Sequence, residues 1–201
     1  MDTSSNEIVN IIDGYITLYN EDVDFANLAP FLEIRKSLKI CCKRFDFSKI
    51  PDYVTDLCLE IEFYDSLENL PQNLEFLIIS SDSNRNYCET HLFCTLDNLP
   101  LSLKELHIEL YDFNIPLEML PEGLEVLKIC SQTFNQTLDN LPKNLKWLEI
   151  WNAYNYGSSI DFDQPLLNLP QSIEDLFIQK PKGSYDNIKS YLPNIDIRYC
   201  G

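Results

Sequence analysis

Glycine and histidine are scarce in this chain, and several kinds of site need them. Only five glycines and two histidines, His91 and His107, occur among 201 residues. The sequence contains no glycine-rich phosphate loop, no nucleophile elbow and no paired-histidine metal motif. These absences argue against an enzyme, and they predict neither a cofactor nor a metal site.

Basic residues are few as well. The chain carries 15 lysines and arginines against 32 aspartates and glutamates, a formal net charge of −17. Nucleic-acid phosphates and anionic lipids both require a basic footprint, so neither is an expected partner. The charge favours a protein partner with a basic and apolar element, while the oligomeric state is left open.

No apolar run approaches the roughly 20 residues that a membrane helix needs, and the opening residues MDTSSN lack the basic and then apolar pattern of a leader. No pair of cysteines has the CxxC spacing of a zinc or redox site. We therefore expect a reducing compartment such as the cytoplasm. The seven cysteines are Cys41, Cys42, Cys58, Cys88, Cys94, Cys130 and Cys200.

The chain does contain a repeated phrase, Leu-Pro-x-x-Leu-x-x-Leu-x-Ile. Clear copies run over residues 99–108, 120–129, 141–150 and 169–178, and a near copy covers 70–79. The prolines at 51, 71, 100, 121, 142, 170 and 193 are separated by 20, 29, 21, 21, 28 and 23 residues. A unit of about 21 residues thus repeats, with two enlarged copies. Two degenerate copies, around Ile16 and Leu38, precede these, with Pro30 taken as a repeat proline.

This period predicts a leucine-rich-repeat-like solenoid of the α/β horseshoe type, with about nine rungs and one short parallel strand per rung. Within a strand the side chains alternate, so Leu127 and Ile129 are expected to point inward and Lys128 outward. The unit is too short for a full helix, so extended and 3₁₀ segments should form the back. Leu106, Leu127, Leu148 and Leu176 should form one buried column.

One domain is expected over residues 1–201. Residues 1–45 hold an N-terminal cap and the degenerate rungs, 45–197 the clear rungs, and 198–201 the C-terminal end. A solenoid end needs a cap because it would otherwise present its apolar cross-section to water. Residues Ser5 to Ile12, before Gly14, are expected to form a short capping helix.

The repeats resemble a known family. Phe113-Asn114-Ile115-Pro116 is the tetrapeptide that names the FNIP repeat, and Phe134-Asn135-Gln136 and Phe162-Asp163-Gln164 occupy the same place in later rungs. The resemblance covers residues 45–197. It implies a relative of leucine-rich repeats of the kind found in social amoebae and in giant viruses of amoebae, where the repeats are often joined to an F-box.

Three functions remain open, and only the last of them comes from the resemblance. The leading one is a protein-interaction scaffold. The alternatives are a structural subunit of a viral or cellular assembly, and an adaptor or inhibitor in ubiquitin signalling. No F-box is evident in the first 45 residues, which weakens the last. A viral member of the family would act in the host cytoplasm or in the particle.

Aligning the strands predicts which side chains share the outward face of the sheet. Phe76, Glu105, Val126, Trp147 and Asp175 form one row, and Ile78, His107, Lys128, Glu149 and Phe177 form the next. A third row holds Ser80, Glu109, Cys130, Trp151 and Gln179. Tryptophan is over-represented in binding hot spots. The predicted partner-binding residues are therefore Phe76, Ile78, Trp147, Glu149, Trp151, Tyr154, Tyr156, Asp175 and Phe177.

The enlarged rungs, the histidine, the cysteine pair and the sequon have simple interpretations. The segments 80–90 and 151–159 carry the extra length of the enlarged rungs, and both follow a strand. They are either binding loops or solvated insertions, and the second could also cover the tryptophans. His107 with Glu105 and Glu109 is interpreted as a solvated polar patch, and Cys41-Cys42 as an ordinary reduced pair. The sequon Asn135-Gln136-Thr137 is attributed to chance.

Overall fold

A computed structural model describes residues 10–12, 14–19, 21–42, 45–61, 63–64, 66–81, 91–92, 95–152, 160–179 and 196–198. One α-helix, α1 (Phe25–Arg35), and one 3₁₀ helix (Phe47–Lys49) occur among them. The strands are β1 (Asn10–Ile12), β2 (Tyr15–Leu18), β3 (Ser37–Ile40), β4 (Asp56–Ile61), β5 (Phe63–Tyr64), β6 (Phe76–Ser81), β7 (His91–Leu92), β8 (Glu105–Glu109), β9 (Val126–Cys130), β10 (Trp147–Trp151), β11 (Asp175–Ile178) and β12 (Asp196–Arg198).

Ten of these strands form one sheet in the order β1-β2-β3-β4-β6-β8-β9-β10-β11-β12, and β5 pairs with β7 in a second, small sheet. From β2 to β12 every neighbouring pair is parallel, so the described residues contain one parallel strand for each of the nine expected rungs. The predicted leucine-rich-repeat-like solenoid is confirmed. The boundaries within the single domain stay predictions.

The inward side chains form continuous apolar columns. Leu106, Leu127, Leu148 and Leu176 are register partners in successive strands, and each is 0% exposed. A second column of isoleucines runs beside it and includes Ile108, Ile129, Ile150 and Ile178. Full burial of one such side chain contributes roughly 1.5–3 kcal/mol, so the stacking of rungs accounts for most of the core.

The repeat proline begins a β-turn that ends at the first core leucine. The Pro121 carbonyl accepts a hydrogen bond from the Leu124 amide at 3.0 Å, and Pro142 and Leu145 do the same at 3.1 Å. The amides of Glu125 and Val126 then both donate to the Lys104 carbonyl of the preceding rung. Because proline has no amide to offer, it stands where the ladder has not yet begun. The constant spacing from proline to strand keeps the rungs in register.

The back of the solenoid is held by an aromatic stack. The rings of Phe113 and Phe134 are 5.8 Å apart between centroids and 7° from parallel, and those of Phe134 and Phe162 are 6.1 Å and 1°. The side chain that follows each phenylalanine reaches the next rung. The Asn114 Oδ1 accepts from the Asn135 amide at 2.9 Å, and the Asn135 Oδ1 accepts from the Asp163 amide at 3.0 Å. A phenylalanine followed by asparagine thus links one rung to the next.

Asn135 gives a first prediction. Replacing it with alanine leaves the Asp163 amide without this acceptor, which should lower the free energy of unfolding by about 1–2 kcal/mol in urea denaturation. Asn140→Ala, at an exposed position of the same rung, is the matched control and should change it by less than about 0.5 kcal/mol. Equal effects of the two substitutions would contradict a role of the Asn135 side chain in linking the rungs.

The first long connection departs from the expectation of an extended or 3₁₀ back. Residues Phe25–Arg35 form helix α1, with Leu28 and Leu32 buried in the core. The Asp24 side chain caps the helix through the Ala26 amide at 3.0 Å. Pro30, expected to be a repeat proline, lies inside this helix. The Asp24 cap and the absence of the Leu-Pro-x-x-Leu spacing favour a helix here over the repeat turn.

The expected capping helix over residues 5–12 is wrong where it can be checked. Asn10–Ile12 form strand β1, which pairs antiparallel with β2, and residues 5–9 lie outside the described residues. Gly14 adopts φ 91°, a conformation that glycine enters without strain, and it turns the chain between the two strands. Two consecutive isoleucines followed by a turn glycine favour a hairpin over a helix.

Candidate interaction surface

The three predicted rows are present on the outward face of the sheet, called here the open face. Phe76 pairs with Glu105, Glu105 with Val126, and Trp147 with both Val126 and Asp175. The other rows follow the same register, since Lys128 lies between His107 and Glu149, and Cys130 between Glu109 and Trp151. Gln179 follows β11, and its amide donates to the Ile150 carbonyl at 3.0 Å. The open face thus presents its side chains in regular rows.

Trp147, Trp151 and Phe177 lie on the adjacent strands β10 and β11 and are called the aromatic patch. All three are partly buried. The Trp147 Nε1 donates to the Glu149 Oε1 at 2.9 Å, and the Lys128 Nζ lies over the Trp147 ring, 5.2 Å from its centroid. Apolar rings with hydrogen-bonded or charged neighbours are typical of the anchor points in protein interfaces.

The start of the second enlarged segment is anchored. Asn152 is 2% exposed, its amide donates to the Gln179 Oε1 at 2.8 Å, and its Nδ2 donates to the Gln132 Oε1. Cys130 belongs to an outward row yet is only 3% exposed. Tyr154 and Tyr156 lie outside the described residues, as does 82–90 of the first enlarged segment. The two tyrosines therefore stay predictions.

His107 differs from the expected solvated patch. Its Nε2 lies 2.6 Å from the Glu105 Oε1, its ring meets the Phe76 ring edge-on at 5.0 Å, and its side chain is 14% exposed. A neighbouring ring and carboxylate explain this burial, and they orient the imidazole into the face. Phe76, predicted to contact a partner, thus also packs within the chain.

A second cluster on the open face was missed by sequence reasoning, which paired Cys41 with Cys42. The thiol cluster consists of Lys39, Cys41, Cys58 and Glu60. The Cys41 Sγ donates to the Glu60 Oε2 at 2.8 Å, and the Lys39 Nζ lies 3.2 Å from the same oxygen. Continuing the rows to β3 and β4, where Lys39 pairs with Cys58, was the signal that could have revealed it.

Burial governs the ionisation of this cluster. It raises the pKa of Cys58 to about 11, and burial together with the Glu60 hydrogen bond raises the pKa of Cys41 well above its ordinary value. Burial also raises the pKa of Tyr15, which lies at the same end of the face, to about 12. Thiols held neutral in this way are poor nucleophiles and poor metal ligands.

Among the described residues, no group of three His, Cys, Asp or Glu side chains could hold a metal ion. A surface hollow of about 310 Å³ at a junction between rungs has one carboxylate and no other charged group among its lining residues, which are Glu68, Asn69, Gln72, Asn98, Leu99, Pro100 and Leu101. None of the described helices is long and apolar enough to cross a membrane.

Comparison with known proteins agrees with the repeat geometry. Residues 111–153, which hold the first two stacked phenylalanines and the strands β9 and β10, match the FNIP repeat family. No curated protein matches the chain in sequence. Both tryptophans of the aromatic patch, Trp147 and Trp151, therefore lie inside the matched segment.

The fold is also similar to that of a solved structure. CroV588, described as a novel circular leucine-rich-repeat protein and belonging to a giant virus, superimposes with a TM-score of 0.55 at 18% sequence identity. The match covers 95% of this chain and 31% of CroV588, so this chain spans about a third of the length of that protein. The likeness concerns the path of the backbone.

Proposed function

We propose that this FNIP-repeat chain is a protein-interaction scaffold that binds its partner through the C-terminal half of the open face. The observation that carries the proposal is the aromatic patch on a continuous parallel sheet. Two tryptophans and a phenylalanine remain partly accessible there, although the core beneath them is fully buried. Such anchors bind with little loss of conformational entropy because the strands already hold them.

Charge supports a basic element in the partner. The described face from β2 to β11 has six carboxylates and two ammonium groups, namely Asp56, Glu60, Glu105, Glu109, Glu149 and Asp175 against Lys39 and Lys128. The whole chain has the same bias, with a net charge of −17. Complementary charge steers association and disfavours acidic competitors such as nucleic acid.

Of the predicted partner-binding residues, we propose Trp147, Trp151 and Phe177 as anchors and Glu149 and Asp175 as the acidic rim. Phe76 and Ile78 lie further along the face, on β6, and would contact the far end of a partner. We also propose that the chain acts in the cytoplasm or in a particle assembled there.

Substitution of both tryptophans tests the proposal. Trp147→Ala/Trp151→Ala should keep the far-ultraviolet circular dichroism of the solenoid, because the core columns are untouched, and should lose the proteins captured by the parent chain. Quantitative mass spectrometry of affinity captures measures this loss, which we expect to exceed about tenfold for a central hot-spot pair.

The matched control is Phe31→Ala/Ile34→Ala, which removes two exposed apolar side chains of helix α1 away from the open face. This variant should capture the same proteins as the parent. If the double tryptophan variant captured them undiminished, or the helix variant lost them equally, the open face would not be the binding surface.

A further inference from the structure

We infer that the Trp147 ring is a cation site for an arginine side chain of the partner, and that Lys128 occupies this site in the free protein. The inference rests on the proposed function and names the chemistry of the contact. Lys128 and Trp147 are on the neighbouring strands β9 and β10, and the Lys128 Nζ is 5.2 Å from the ring centroid. The face of an indole attracts cations within about 6 Å.

The surroundings of the ring favour a cation further. The Nε1 hydrogen bond to Glu149 orients the indole and places a carboxylate at its edge. Asp175 is the register partner of Trp147 on β11, the neighbouring strand on the side away from Lys128. A positive group above the ring would thus meet an aromatic face, with two acidic residues close by on the same sheet face.

Lys128 has an alternative position to which it can move. It is the register partner of Glu149, so the ammonium group can pair with that carboxylate after it leaves the ring. Exchange therefore replaces one favourable contact of Lys128 with another. An incoming cation has to outcompete an internal lysine, which makes Lys128 a residue that sets the selectivity of the site.

Arginine is the expected occupant, and lysine the weaker one. A guanidinium is planar and less strongly hydrated than an ammonium, stacks on aromatic rings, and can donate two parallel hydrogen bonds to a carboxylate. An incoming lysine would make only the ammonium contact with the Trp147 ring that Lys128 already makes. The site should therefore prefer an arginine-bearing segment with apolar neighbours that reach Trp151 and Phe177.

The test uses two end-blocked six-residue peptides of alternating arginine and leucine or lysine and leucine. Binding to the whole chain is measured by isothermal calorimetry. It is also measured by fluorescence in a Trp151→Phe background, where Trp147 is the remaining tryptophan. We expect the arginine peptide to bind more tightly than the lysine peptide. Lys128→Gln should strengthen its binding by roughly threefold to tenfold, and Trp147→Leu should weaken it by at least as much.

Lys146→Gln controls for the loss of one positive charge. Lys146 is exposed, immediately precedes β10, and pairs with Glu125 at 2.6 Å, so its substitution makes the same charge change away from the ring. An equal gain in Lys128→Gln and Lys146→Gln, equal affinity for the two peptides, no measurable binding, or binding indifferent to Trp147→Leu would each overturn the inference. The proposed function would still stand if protein capture depended on the two tryptophans, and it would fall independently if capture did not.

Discussion

Phe134→Ala is expected to lower the free energy of unfolding by about 3–5 kcal/mol, the usual cost of deleting a buried aromatic side chain. Phe134 is 1% exposed and lies between Phe113 and Phe162, both of which it stacks upon. Its removal opens a cavity and abolishes the ring contacts with both neighbours. Because neighbouring rungs support one another in a solenoid, the loss should spread to the interfaces on both sides.

Urea denaturation followed by circular dichroism measures the effect, and Phe31→Ala is the control. Phe31 is an aromatic residue of the same size but is 58% exposed on helix α1, so its removal should cost less than about 1 kcal/mol. Similar costs at the two positions would show that the stack does not hold the rungs together. A lower m-value in Phe134→Ala would indicate that the two halves unfold separately.

The second large effect is a loss of stability in alkali that depends on Cys58. Burial raises the pKa of this thiol from 9.0 to about 11 in the folded chain. Between these values the unfolded chain releases a proton that the folded chain retains, so stability falls as pH rises. The stabilisation is complete below about pH 9 and is lost as pH rises through about 11, on the order of 3 kcal/mol in total.

Denaturation in reducing buffer from pH 6 to pH 11 measures the slope. Cys58→Ala should lower the free energy of unfolding by a constant amount between pH 6 and pH 8, where neither protein should show a slope. Above pH 9 the free energy of unfolding should fall less steeply in the variant than in the parent. Cys41 and Tyr15, whose pKa values are raised in the same direction, should leave a shallower decline in both proteins. A decline as steep in Cys58→Ala as in the parent would exclude Cys58 as its source.

The repeat could be predicted from the sequence because each clear rung has the same spacing between its proline and its strand. Proline lies five residues before the first residue of β4, β6, β8, β9, β10 and β11, as at Pro121 and Val126. A constant offset aligns the strands, and alternation within each strand then decides which side chains are buried. The buried leucine and isoleucine columns and the three rows of the open face could therefore be predicted from the spacing alone.

The errors in prediction lie where the repeat weakens. Before β3 the Leu-Pro-x-x-Leu spacing is lost, and Asp24 caps a helix that contains Pro30. Before β2 a hairpin replaces the expected helix, because Gly14 supplies the turn and two isoleucines favour a strand. At these two places the local sequence does not match the pattern of the neighbouring rungs. Packing against the adjacent strands then decides between helix and strand.

The amino-acid sequence by itself determined the number of rungs, their order and the side of the sheet to which each strand residue belongs, since these depend on spacing along one rung. Only the tertiary structure decided that Lys128 lies over Trp147, that His107 is covered by Phe76, and that Cys41 meets Glu60. Those contacts join side chains from different rungs across a strand separation of about 4.8 Å. Side-chain rotamers and local burial set them, and no pattern within a single repeat encodes either.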